Sequence, residues 1–153
     1  MIVYRLVKDI YRNELSGKGA EKYGGRWNTK GYQIIYTGES RALCTAEIAV
    51  HTPLGIVPKD YYLQTIKLPV KQSISKITTS KLEAGWKNFP HEVSTKKIGN
   101  TFIDEGKYLV LKVPSAVIQD EYNYLINPLH KDFKKINLKK VEEFKFDKRL
   151  FQR

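Results

Sequence analysis

The chain opens on Ile2-Val3-Tyr4-Arg5-Leu6-Val7, a run of β-formers that predicts a strand over 2–7. A glycine- and charge-rich stretch over 16–31 reads as a loop. Gln33 to Tyr36 reads as a short strand. Thr37 or Ser40 is placed to cap a helix running to about Val50, ended by Pro53 and Gly55. Tyr61 to Leu68 predicts a strand closed by Pro69, and 79–86 and 91–105 predict helices, the second stopped by Gly106. Tyr108 to Val113 and Tyr122 to Ile126 predict strands closed by Pro114 and by Asn127-Pro128. The tail over 134–151 alternates apolar and charged residues and predicts late strands. Strands and helices do not alternate regularly, so the expected class is α+β, one domain over 1–153.

The helical pattern raises the first chemical question. On a helix over 39–51, Leu43, Ala46, Glu47 and Val50 share one face. A carboxylate on an inward stripe is unfavourable unless it is paired or opens into a cleft. An ordinary helix Glu snorkels to water, but Arg26 and Tyr36 lie close in sequence and make the cleft competitive. Arg26 follows Gly24-Gly25, where glycine permits close backbone approach, and a guanidinium there suits bidentate grip on phosphate or carboxylate. Arg5 shares a strand face with Val3 and Val7, so it needs an acid such as Glu47 or serves an anion site. Tyr36 and Trp27 are either core rings or platforms for a planar ligand. Ser115 follows Pro114 at a strand end, where turn residues and functional hydroxyls both occur.

Composition narrows the picture. At 41% hydrophobic the 153 residues are globular, and no apolar run is long enough to span a bilayer. The N-terminus lacks the order of a signal peptide. One cysteine, Cys44, cannot form an internal disulfide, which fits a reducing cytoplasm. His51, His91 and His130 lack ligand spacing, so no metal is expected. Net charge is +11, from 27 Lys and Arg against 16 Asp and Glu, which favours an anionic partner. With ten tyrosines this also admits a basic nucleic-acid-binding module, although Glu47 would repel a phosphate backbone.

The ordered set resembles the RES domain, the toxin half of bacterial RES–Xre toxin–antitoxin pairs. It runs from Tyr4-Arg5-Leu6 through Gly17, Gly24-Gly25-Arg26-Trp27-Asn28, Tyr36-Thr37 and Ser40-Arg41-Ala42-Leu43 to Glu47 and His51. It continues with Val113-Pro114-Ser115-Ala116-Val117, Asn123-Tyr124-Leu125, Asn127-Pro128 and His130. Cys44 departs from the pattern, standing where the helix usually has a small residue. The resemblance implies an ADP-ribosyltransferase-like split mixed or antiparallel sheet flanked by short helices. It implies NAD as substrate, cleaved at the nicotinamide–ribose bond, with inorganic phosphate as a candidate co-substrate. Transfer of ADP-ribose to a protein by the same residues is the alternative. Carried over by position, Glu47, Arg26 and Tyr36 become the catalytic set, and Arg5, Arg26, Trp27, Tyr36 and Ser115 hold NAD. The implied partner is an Xre-type helix-turn-helix antitoxin that occludes the site and alone contacts DNA; homodimerisation is left open.

Overall fold

A computed structural model describes residues 1–70 and 73–152. Seven strands form one sheet in the order β4-β5-β6-β2-β1-β3-β7. They are β1 (Ile2–Lys8), β2 (Ile35–Gly38), β3 (Tyr61–Lys67), β4 (Ile74–Lys76), β5 (Val110–Pro114), β6 (Tyr122–Ile126) and β7 (Asn137–Phe144). All neighbours are antiparallel except β4 and β5. Among the described residues three α-helices accompany them: α1 (Lys18–Tyr23), α2 (Arg41–His51) and α3 (Val93–Glu105).

Strand alternation sends neighbouring side chains to opposite faces and builds two apolar layers. Val3, Ile35, Ile66, Leu68, Val110, Tyr124 and Ile126 cluster on one face. Ile34, Leu111, Val113 and Leu125 cluster on the other, beneath Trp27, Trp86 and the α3 residues Phe102 and Ile103. α2 lies on this second face too. Gly38 belongs to it, two residues beyond Tyr36, and an added Cβ there would stand 2.9 Å from Cys44 Sγ. The buried face of α2 is Leu43 and Cys44, whereas Val50 stays exposed and falls outside the expected stripe. Cys44 donates through Sγ to the Tyr4 carbonyl, and burial pushes its thiol up to about 12.

The sheet forks at its centre. β1 pairs β2 at one position, Tyr4 with Gly38. Continuing that ladder would set Arg5 opposite Thr37 and Leu6 opposite Tyr36, and neither pair forms. β1 instead follows β3 along its whole length, and β2 follows β6. The expected split, mixed sheet is therefore present.

Most expected elements stand where the pattern places them, with five differences. The tail over 134–151 gives one strand, β7, and then a 3-10 turn at Lys148–Leu150 in place of further strands. The 16–31 stretch contains α1, about a turn and a half of helix. The second strand begins at Ile35 rather than Gln33. Only one 3-10 turn, Thr79–Lys81, forms within 79–86. A segment that short, interrupted by Gly85, gains too few hydrogen bonds to offset helix nucleation. β4 was not expected, because Ile-Ser-Lys carries no pattern of its own and becomes a strand by pairing with β5.

Candidate active site

The same alternation that builds the second apolar face delivers the polar groups of the site. Tyr36 on β2, Asn123 on β6 and Ser115 just beyond β5 are in phase with Ile34, Leu125 and Val113. They therefore point to the side on which α2 lies. Ser40 Oγ caps α2 by accepting from the Leu43 amide at 3.0 Å, which sets the phase of the helix. That phase turns Glu47 toward Ser115.

Ser115 Oγ donates to Glu47 Oε1 at 3.2 Å. The same oxygen accepts from the amides of Val117 and Ile118, each at 3.0 Å. With both lone pairs engaged, its single proton is committed to the carboxylate. Ser115 is thus a fixed donor to Glu47 and not a free nucleophile. Burial raises the Glu47 pKa; hydrogen bonds from Ser115 and Asn123 and the charges of His51 and Arg26 oppose it. A partly desolvated carboxylate among positive and donor groups is the result.

Arg26 arrives on a loop that is held from three sides. Gly24 adopts φ 71°, and Gly25 and Asn28 exchange a bridge across the turn. An added Cβ on Gly25 would stand 2.7 Å from Tyr36 Oη. That hydroxyl donates to Asn28 Oδ1 at 2.6 Å and accepts from the Trp27 amide at 3.1 Å. Burial raises the Tyr36 pKa, so it stays a phenol and keeps both bonds. α3 grips the loop from outside: Thr95 Oγ1 donates to the Arg26 carbonyl at 2.6 Å and Asn100 Oδ1 accepts from the Thr29 amide at 3.1 Å. A Cβ on Gly99 would collide with the Trp27 carbonyl oxygen, so only glycine admits this contact.

The guanidinium of Arg26 spends one nitrogen on structure. Nη1 donates to the carbonyls of Trp86 at 2.7 Å and Asn88 at 3.1 Å. Nε and Nη2 have no protein acceptor among the described residues, leaving two parallel donors for a ligand. Burial lowers the Arg26 pKa, and the nearby Glu47 and Tyr36 oppose the shift.

The structure thus brings Arg26, Tyr36, Glu47 and Ser115 together. Arg5 is not in contact with them. It pairs across the strands with Gln64, and its nearest opposing charge is Glu14 rather than Glu47. Burial pulls its pKa down to about 10, and its guanidinium makes no hydrogen bond among the described residues. It stands at the fork, where β1 has left β2. Trp27 is 2% exposed, its ring 6.2 Å from that of Trp86. Its indole is a core group that backs the Arg26 loop, which is one of the two roles the sequence leaves open for that ring. Asn123, His51 and His91 were not singled out for the site. The signals lay in Asn123 two residues before core Leu125 on one strand face, and in His51 one helical turn after Glu47. His91 reaches the site only through the 86–91 segment, which no local pattern joins to Arg26. Among the described residues, no group of His, Cys, Asp and Glu is placed to hold a metal and no helix is long and apolar enough to cross a membrane.

The comparisons with known proteins fit this geometry. A protein of Sphingobium sp. named Prs ADP-ribosylating toxin is 36% identical over 143 residues, covering 92% of this chain and 89% of its own. A Photorhabdus laumondii protein named Toxin Res is 35% identical over 152 residues, covering 98% and 97%. Among solved structures, a chain from the M. tuberculosis MbcT–MbcA toxin–antitoxin complex superposes with a TM-score of 0.74 at 21% identity, covering 98% of this chain and 86% of that one. The RES domain family matches residues 2–147, and with a split sheet, a forked centre and relatives more than a third identical along nearly its whole length, the chain belongs to the RES-domain family.

Proposed function

We propose that this chain is the toxin of a toxin–antitoxin pair and that it consumes NAD by breaking the nicotinamide–ribose bond. The observation that carries this reading is Glu47: a half-buried carboxylate that accepts from Ser115, within the field of an arginine with two uncommitted donors. Names borne by the relatives support the class, since one is called a toxin that ADP-ribosylates and others are called Toxin Res.

NAD chemistry suits a site with one carboxylate. When the nicotinamide–ribose bond breaks, its electron pair returns to the pyridinium nitrogen and neutral nicotinamide leaves. No general acid is needed, unlike the two-carboxyl arrangement of ordinary glycoside hydrolysis. Glu47 stabilises the oxocarbenium-like carbon and binds a ribose hydroxyl. An oxygen of phosphate or water then bonds to that carbon. Arg26, through Nε and Nη2, holds the pyrophosphate, and Arg5 at the fork supplies the second cation. Tyr36 acts by fixing the Arg26 loop. Ser115 acts through Glu47.

The second reading, transfer of ADP-ribose to a protein, uses the same residues and differs only in the acceptor. The name of the Sphingobium relative favours it. Proton and phosphorus NMR of NAD with the purified protein, with and without phosphate, separates the cases. Phosphorolysis yields ADP-ribose bearing a new phosphate only when phosphate is present. Intact NAD under both conditions overturns the first reading; the second is overturned if labelled NAD also leaves no label on any protein of a bacterial lysate incubated with the purified chain. The proposed inhibitor is an Xre-type antitoxin with a helix-turn-helix domain that carries all contact with DNA. An antitoxin partner of some kind is in keeping with the toxin–antitoxin complex among the structural neighbours.

A further inference from the structure

One aromatic group at the site is unused by the chemistry above. Phe89 follows Asn88, whose carbonyl accepts from Arg26 Nη1 at 3.1 Å. Its ring lies 6.5 Å from that of His51 and meets that of His91 edge-on at 5.2 Å. His51 sits one helical turn beyond Glu47 and lies within its field, and His91 lies within that of Arg26. Phe89 therefore stands between the carboxylate side and the guanidinium side of the site. It is nonetheless 76% exposed, the most exposed aromatic ring among the described residues. A ring left in water forgoes the burial that aromatic side chains ordinarily gain. The two aromatics that back the Arg26 loop cannot take a ligand ring on both faces: Trp27 is in the core, and Tyr36 is packed against it with its hydroxyl committed.

We propose that Phe89 is the ring-recognition residue of the site, its face receiving the cationic pyridinium ring of NAD. This rests on the reading of the site as NAD-consuming and adds a specificity residue to it. The pyridinium is preferred over the adenine for two reasons. The bond that breaks must lie at Glu47, which places the pyridinium on the α2 side, where Phe89 meets His51. A cation also gains from the negative face of an aromatic ring, which a neutral adenine does not. His91, which burial holds down to about 4, is neutral near pH 7 and adds no repelling charge. The positive charge on the ring disappears as the bond breaks. Phe89 therefore stabilises bound substrate more than the transition state, so its loss raises KM and kcat together and leaves kcat/KM nearly unchanged.

The test measures NAD consumption by wild type, Phe89→Ala and Phe89→Trp, with inhibition by 1-methylnicotinamide (a free pyridinium) and by ADP-ribose (which lacks the ring). In Phe89→Ala, inhibition by 1-methylnicotinamide should weaken about 3- to 30-fold and KM should rise by a similar factor, the scale of a cation–π contact. Inhibition by ADP-ribose and kcat/KM should stay within about twofold, because neither the ring-free ligand nor the transition state carries the full pyridinium charge, while kcat rises with KM. Phe89→Trp should restore all three affected quantities. Equal weakening toward both inhibitors, or no weakening toward either, overturns the assignment of Phe89 alone. A wild-type protein that consumes no NAD overturns the functional reading beneath it as well.

Discussion

At the residue scale, the site depends on how Glu47 is held. Glu47→Gln removes the charge at nearly constant shape and leaves Ser115 an oxygen to donate to. We expect a folded protein with no NAD loss and no toxicity, checked by circular dichroism beside the NMR assay. Turnover near wild type in that protein would remove Glu47 from the mechanism. The pH profile carries further information. Burial raises the Glu47 pKa, and the proposed reaction needs the carboxylate ionised. Activity should therefore be lost, as pH falls, at a higher pH than an ordinary glutamate would give. The Ser115 hydrogen bond favours the charged form, so Ser115→Ala should move that acid limb upward again. A limb that stays put in Ser115→Ala would show that the hydroxyl serves the 115–118 turn alone. Arg26→Lys is not conservative here. A lysine can keep one carbonyl of the Trp86–Asn88 pair but cannot offer two parallel donors as well. NAD binding should weaken by about 1–3 kcal/mol, read by calorimetry.

At the scale of elements, the Arg26 loop is placed by the strand and helix around it. β2 supplies Tyr36, α3 supplies Thr95, Gly99 and Asn100, and the loop makes its own turn at Gly24. Gly25→Ala drives a methyl group to 2.7 Å from Tyr36 Oη. It should destabilise the fold by about 1–3 kcal/mol, the usual scale of overpacking, and reduce NAD affinity by displacing Arg26. Adding Tyr36→Phe removes the clashing oxygen, so the double variant should recover part of the melting temperature that Gly25→Ala loses. Additive losses in the double variant would mean that the strain lies elsewhere in the turn. The pair interacts directly, so such non-additivity is expected. The neighbouring elements show how context overrides propensity. Ile74–Lys76 becomes a strand because β5 offers an edge, while 79–86 yields one 3-10 turn and a separate turn closed from Glu83 to Trp86 in place of a helix.

At the scale of the whole molecule, the +11 charge governs encounter more than the site does. An antitoxin with an acidic surface should associate at a rate that falls steeply with added salt, while affinity changes less. Stopped-flow mixing with the product of the neighbouring gene measures this, and a rate indifferent to salt would argue for an apolar interface. If the partner occludes the site, NAD and the antitoxin should compete. Equal NAD binding by free and complexed protein would place the inhibitor elsewhere.

Much of this protein was legible along the chain. The α+β class, the first, third and sixth strands, the capped helix with Glu47 and the glycine-stopped α3 follow from local pattern, because hydrophobic period and capping chemistry are properties of a few adjacent residues. Arg26, Glu47, Tyr36 and Ser115 were visible for the same reason, as polar groups at positions that local pattern turns inward or frames with glycine. Their roles were not. Whether Tyr36 offers a ring or ties a loop depends on Asn28 and Trp27 across the turn. That Trp27 is core depends on Trp86, some sixty residues away. The fork beside Arg5 arises because β1 binds β3 and β2 binds β6, a choice made between strands distant in sequence. Only packing settles such questions, because a side chain's role is set by what its atoms touch, and residue type leaves that undecided.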